Sequence, residues 1–141
     1  MLPVAVNNPY QAYRQQQVFT LSQEKLVLML YDGALRFCRL GVSCLEKKDY
    51  AGVNNNLLRA QDIIKELMIT LNHDAGEIAS NLHRLYDFML WHLIQANLKK
   101  DAKMINDVID ILQHLRDAWE EAARIYRTHD YRTRTGMDRQ G

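Results

Sequence analysis

Five histidines, two cysteines and an arginine-rich C-terminus carry most of the reactive chemistry this chain can offer. A helix-borne zinc site of the protease kind needs two histidines four residues apart. His73, His83, His92, His114 and His129 contain no such pair. A di-metal carboxylate centre in a helical bundle needs Glu-x-x-His pairs facing inward, and the sequence contains none. There is no Cys-x-x-Cys and no glycine-rich phosphate loop. Cys38 and Cys44 sit six residues apart, so on one helix they point in different directions and cannot bridge. They read as reduced thiols of the core type. A Cys–His nucleophile pair would need an orienting third group and oxyanion donors, and no recognisable set accompanies these residues. His92 falls on an apolar seam and reads as a hydrogen-bonded core or interface histidine. The expectation is a protein with no metal, no cofactor and no enzymatic activity.

Charge removes further classes of function. Arg124, Arg127, Arg132, Arg134 and Arg139 form the best case for nucleic acid, but acidic residues interleave with them and no aromatic stacking platform stands out. The formal net charge of +1 supplies no strong basic field. Asp32–Arg36 and Glu120–Arg124, each four apart, read as solvated helix pairs. The longest apolar run, Leu26 to Tyr31, is far short of a membrane span, and the first twenty residues lack a secretory pattern. No nucleic acid and no membrane insertion are expected, and a cytoplasmic location is.

The elements that position these residues are helical. Both prolines lie within the first nine residues, so nothing beyond Pro9 removes a backbone donor. Asn8 and Pro9 suit the start of a short helix to about Gln17, with Tyr10 and Tyr13 on one side. Thr20 with Gln23 reads as a capping box opening a first long helix to about Glu46. A second runs from Tyr50, capped by Asp49, to about Leu71. A third spans about Ala75 to Leu98, and a fourth follows Lys99-Lys100-Asp101 to about Tyr126. The seams are Leu57, Ala60, Ile64, Leu67, Leu71; then Ile78, Leu82, Leu85, Met89, His92, Ala96; then Met104, Val108, Ile111, Leu115, Ala118, Ala122, Ile125. Short turns force neighbouring helices antiparallel. The expected fold is all-α: an antiparallel up-down four-helix bundle over 20–126, with a short N-terminal helical arm over 1–19 and a frayed or disordered tail over 127–141. Leu30-Tyr31-Asp32 and Leu85-Tyr86-Asp87 echo each other, as do two Lys-Lys-Asp turns, which suggests a weak internal repeat.

The first and third helices carry more apolar residues than a bundle helix needs, about three in seven. Leu26, Val27, Leu28, Met29, Leu30 and Tyr31 go almost right round the first. The third adds Phe88, Leu90, Trp91 and Ile94 beyond its seam, with Phe88 and Trp91 three apart on one flank. Surplus of this kind marks a contact surface, to be covered by the arm, a second copy or a client; the alternative is that the four helices pack unevenly and bury most of it themselves. Tyr31, Phe88 and Trp91 are the preferred anchors, since aromatics give much area per torsion frozen; each has a place in the core as its alternative, and for Tyr31 core and groove weigh equally. Tyr10, Tyr13, Val18 and Phe19 of the arm suit a cover that yields to a partner. Trp119 reads mostly as core.

Several stretches then resemble the FliS family of flagellar secretion chaperones. They are Tyr10-Gln11, the run from Leu26 to Ala34, Ala60-Gln61-Asp62-Ile63-Ile64 with Glu66-Leu67, Asn81-Leu82, Leu85 to Met89, Ala96-Asn97, and Leu115 to Trp119. They fall in order over residues 10 to about 125, and the tail lies outside them. The resemblance implies an antiparallel four-helix bundle of the bacterial cytosol. It implies binding of the disordered C-terminal segment of flagellin, protection from premature polymerisation, and delivery to the flagellar type III export gate without ATP or metal. It also implies a groove partly capped by the N-terminal segment that Tyr10 and Gln11 match. The expected partner-binding residues are Tyr10, Gln11, Tyr13, Leu26, Val27, Leu30, Tyr31, Ala34, Phe88 and Trp91. A rival reading is a helical adaptor or homodimeric structural module whose surplus apolar face is its own dimer interface.

Overall fold

The computed structural model describes residues 19–135, with side chains over 23–128. They form four α-helices: α1 Phe19–Glu46, α2 Tyr50–Ile69, α3 Glu77–Lys99 and α4 Ala102–Thr135. Among the described residues there is no strand. The protein is an all-α four-helix bundle. The expected helix from Pro9 to Gln17, with Tyr10, Gln11 and Tyr13, lies outside the described residues. So do the side chains of the Thr20 cap. The last helix does not stop near Tyr126 but continues to Thr135.

The two Lys-Lys-Asp turns are built alike, which gives the faint repeat a structural meaning. In the first, Lys48 takes φ 60. The amides of Lys48 and Asp49 bond back to the carbonyls of Leu45 and Cys44 at 3.0 and 2.8 Å, closing a Schellman motif. Asp49 then accepts from the Gly52 amide at 3.0 Å and caps α2. In the second, Lys100 takes φ 52, the Asp101 amide bonds the Ala96 carbonyl at 3.0 Å, and the Asp101 carboxylate accepts from Lys103 N–H at 2.9 Å. The remaining connection carries a 3-10 turn, His73–Ala75, and Gly76 at φ 70, a backbone that a side chain would strain.

The chain divides into two compact units. The larger, Met29–Ala118, contains part of every helix. Asp32 meets Arg116 at 2.9 Å while Arg39, further along α1, meets Gln113 at 2.9 Å, so α1 and α4 run in opposite senses. Asn54 on α2 bonds Asn97 on α3 at 2.8 Å. Gly33 and Gly41 let α2 approach α1 closely, because a Cβ there would stand 3.1 Å from Ile63 and 3.0 Å from Leu57. In the other unit the start of α1 meets the end of α4: the Trp119 indole N–H donates to the Glu24 carbonyl at 3.2 Å, and the Arg127 guanidinium pairs with the Glu24 carboxylate. Val27 and Ala123 are buried there.

The α2 seam is buried from Leu57 to Leu67, at the expected positions. The other two are met in part: Met89 and Ala96 on α3 and Val108 on α4 are buried as expected, while most of the remaining seam positions give way to a neighbour one residue on. On α3, Ala79, Tyr86, Met89, Leu93 and Ala96 are buried, whereas Ile78 is 68% exposed. On α4, Ile105, Val108 and Leu112 are buried, and Ala118, Ala122 and Ile125 are exposed. Both helices carry two adjacent apolar columns, such as Leu85/Tyr86 and Ile111/Leu112. Periodicity alone cannot rank two such columns, and the facing helices decide which one turns inward. The charge pairs also differ from the expected ones: Asp32 binds Arg116 rather than Arg36, and Arg124 binds Glu121 at 2.6 Å.

Candidate functional site

The outward side of α3 carries a band of large apolar side chains. Phe88, Trp91, Ile94 and Leu98 are 46%, 58%, 42% and 74% exposed. Steps of three and four keep them on one flank of the helix. They rise from a helix whose opposite side is fully buried through Met89, Leu93 and Ala96. The Asn54–Asn97 hydrogen bond fixes α2 beside this end of α3. Leu58, one turn along α2 from Asn54, is exposed as well. Leu58 thus adds an exposed apolar group on α2 to the four on α3.

Polar contacts frame the edge of the band towards α4. The Phe88 ring stacks on His92 with centroids 5.0 Å apart and planes at 24°. His92 Nε2 lies 3.4 Å from an Asp107 carboxylate oxygen, and Lys103 Nζ lies 3.2 Å from the other. The Lys103 ammonium, with a smaller contribution from His92, holds the Asp107 carboxyl below the usual carboxylate range. His92 thus acts as a spacer that steadies the exposed Phe88 ring.

The α1 residues are placed differently from the α3 ones. Tyr31 and Ala34 are buried in the larger unit, and Val27 is buried in the smaller. The Tyr31 hydroxyl shares a 2.5 Å hydrogen bond with the Tyr86 hydroxyl, a buried pair that satisfies both groups. Burial first, and then the neighbouring Tyr86, push the Tyr31 phenol well above its ordinary value, so it stays neutral. These three side chains have no surface to present to a partner in this conformation, because the seam of α1 runs through them. Leu26 and Leu30 are half-buried, and Met29 is exposed. Trp119 is half-buried, with its indole N–H satisfied. Leu58 and Leu98 were not among the sequence candidates. Leu98 continues the stripe one turn beyond Ile94 and was open to the same spacing argument. Leu58 sits beside the core residue Leu57, and the seam spacing that turns Leu57 inward leaves Leu58 outside, which was the signal available for it.

The groups capable of chemistry do not converge. Among the described residues no three of His, Cys, Asp and Glu stand close enough to hold a metal ion. Both cysteines are free, and burial pushes the Cys38 thiol up to about 12. No helix among the described residues is long and apolar enough to cross a membrane.

A family profile described as "Flagellar protein FliS" matches residues 6–126. A "Flagellar secretion chaperone FliS" from Bacillus subtilis is 42% identical over 119 residues, covering 84% of this chain and 89% of the relative. The protein of that name from Vibrio cholerae is 36% identical over 116 residues, covering 79% of this chain and 85% of its own. The one from Salmonella typhimurium is 36% identical over 109 residues, covering 76% and 81%. These relatives are named as chaperones, not as enzymes.

Proposed function

This chain belongs to the FliS family of flagellar secretion chaperones, and from that premise we propose that it holds the C-terminal segment of flagellin in the bacterial cytosol until export. The observation that carries the reading is the apolar band of Phe88, Trp91, Ile94 and Leu98, left in water on a helix whose other side is fully packed. A face of this kind suits an amphipathic client helix, laid in by its own apolar stripe. Trp91 is the central anchor, because a half-exposed indole on a firmly packed helix is already positioned. The client orders as it binds, which costs roughly 2–5 kcal/mol of the gross contact energy, and a wide contact area offsets this. Holding the segment keeps flagellin from polymerising early and brings it to the flagellar type III export gate.

Tyr10, Gln11 and Tyr13 belong to the N-terminal arm and are assigned the role of a cap that the client displaces. Leu26 and Leu30 are assigned contact roles on α1. Val27, Tyr31 and Ala34 hold α1 in place from the interior.

Co-purification with flagellin tests the reading. Full-length flagellin is expected to be retained, and flagellin lacking its C-terminal segment is expected to be lost. Equal retention of the two rules the reading out. Light scattering on the free protein tests the rival, since a stable dimer that buries Trp91 would assign the band to self-association.

A further inference from the structure

We propose that the α1–α2 face centred on Phe37 is a docking site for an acidic, amphipathic segment of a partner protein. Two guanidiniums converge on one ring: the Arg36 carbon lies 5.2 Å and the Arg59 carbon 5.5 Å from the Phe37 centroid. The arginines come from different helices and are both exposed, while the ring beneath them is half-buried. Phe37 lies one turn along α1 from Gly33, where the two helices approach closely against Ile63 of α2.

Neither cation meets a carboxylate among the described residues. Asp32, one turn before Arg36, is taken by Arg116 at 2.9 Å. Asp62, three residues after Arg59, is exposed and makes no ion pair with it. Two like charges drawn onto one quadrupole repel each other, and an arriving anion relieves that repulsion. A guanidinium fork matches a carboxylate through two parallel hydrogen bonds, which makes Glu or Asp the complementary chemistry. Leu40, one turn beyond Arg36, is exposed and adds an apolar ledge. The ligand that fits is therefore a segment bearing two acids near an apolar side chain.

A pair of arginines is a small anchor for a nucleic acid or a lipid surface, each of which engages several cations at once. The chain's net charge of +1 provides no long-range field for a nucleic acid or a lipid surface. The face also differs from the α3 band, and the proposal does not depend on what docks there.

The test is fluorescence anisotropy on the intact chain with a labelled helical peptide carrying two Glu four residues apart beside a Leu. Its Gln isostere serves as the control. The Glu peptide is expected to bind about tenfold tighter than the Gln peptide, and Arg36→Gln or Arg59→Gln to remove most of that difference. Arg59→Lys should keep only part of it, since the charge remains and the fork is lost. Trp91→Ala should leave it unchanged. Equal binding of the two peptides overturns the proposal, as does indifference to both arginine substitutions. Arginine-dependent binding of phosphatidylserine vesicles or of a single-stranded RNA, in the absence of peptide binding, also overturns it.

Discussion

Trp91→Ala separates docking from folding more sharply than any other single change. Trp91 leaves 58% of its surface in water in the free protein. For an aromatic of about 200 Å², that is roughly 120 Å² available to a client. At about 25 cal/mol per Å², complete burial corresponds to about 3 kcal/mol. Alanine retains part of the contact and a client does not cover every atom, so about 2 kcal/mol is the expected loss, a rise in Kd of roughly thirtyfold. The share already buried within the fold is about 80 Å², or at most about 2 kcal/mol of stability. Alanine's higher helix propensity returns about 0.5 kcal/mol, and the site lies at the rim of the core, so the folding loss is expected near 1 kcal/mol. Calorimetric titration with the flagellin C-terminal segment gives the first quantity, and urea denaturation of the free protein gives the second. A variant that loses more stability than affinity would place the indole in the interior and refute the docking role. A variant that changes sedimentation behaviour but not client affinity would assign Trp91 to self-association.

Two other expectations concern the frame that holds this face. Tyr31→Phe strands the Tyr86 hydroxyl in the interior and should cost about 1–3 kcal/mol by urea denaturation, whereas the double change to Phe should recover much of that loss. A double variant no more stable than the single one would remove the hydroxyl pair as the cause. Lys48→Gly relieves a side chain held at φ 60. The net gain is about 0.5–1 kcal/mol after the added freedom of the unfolded chain, a rise of roughly 2–4 °C in Tm by thermal scanning. No rise would mean that the turn gains something from lysine that the backbone geometry does not express. Lys100 is the less clean test, because its ammonium also donates to Asn97 at 2.6 Å.

The four helices and the two Lys-Lys-Asp turns were legible because local chemistry fixes them, whereas the end of α4, nine residues beyond the expected Tyr126, was not. Asp49 and Asp101 cap helices wherever the chain folds, and a Lys-Lys-Asp turn needs no distant partner to form. Rotation about each helix axis was less legible. Ile78 and Ala79 offered equally good inward residues on α3, and packing chose alanine. The same limit applies to the site. Phe88 and Trp91 were legible as surplus because the seam on the other side of α3 was already complete. Tyr31 was ambiguous because its partner, Tyr86, lies 55 residues away. No spacing rule announces a hydroxyl pair closed across a bundle. Asp32 had two arginines within reach, Arg36 on its own helix and Arg116 on another, and only the tertiary fold decides between them.

The choice of Arg116 over Arg36 has a consequence beyond its own energy. Surface ion pairs contribute little, about 0–1 kcal/mol, so exchanging one partner for another hardly alters stability. It does alter what the surface offers. Had Asp32 paired along its own helix, Arg36 would be neutralised and Phe37 would carry one free cation instead of two. The α3 band follows the same logic with apolar groups. Met89, Leu93 and Ala96 secure the helix from within, so Phe88, Trp91, Ile94 and Leu98 carry a smaller share of the folding energy. In both places the contacts that secure the helix leave neighbouring side chains exposed. The helix can then change its outward residues at little cost to the bundle, whereas a change at Met89 or Leu93 would open a cavity costing about 2–5 kcal/mol.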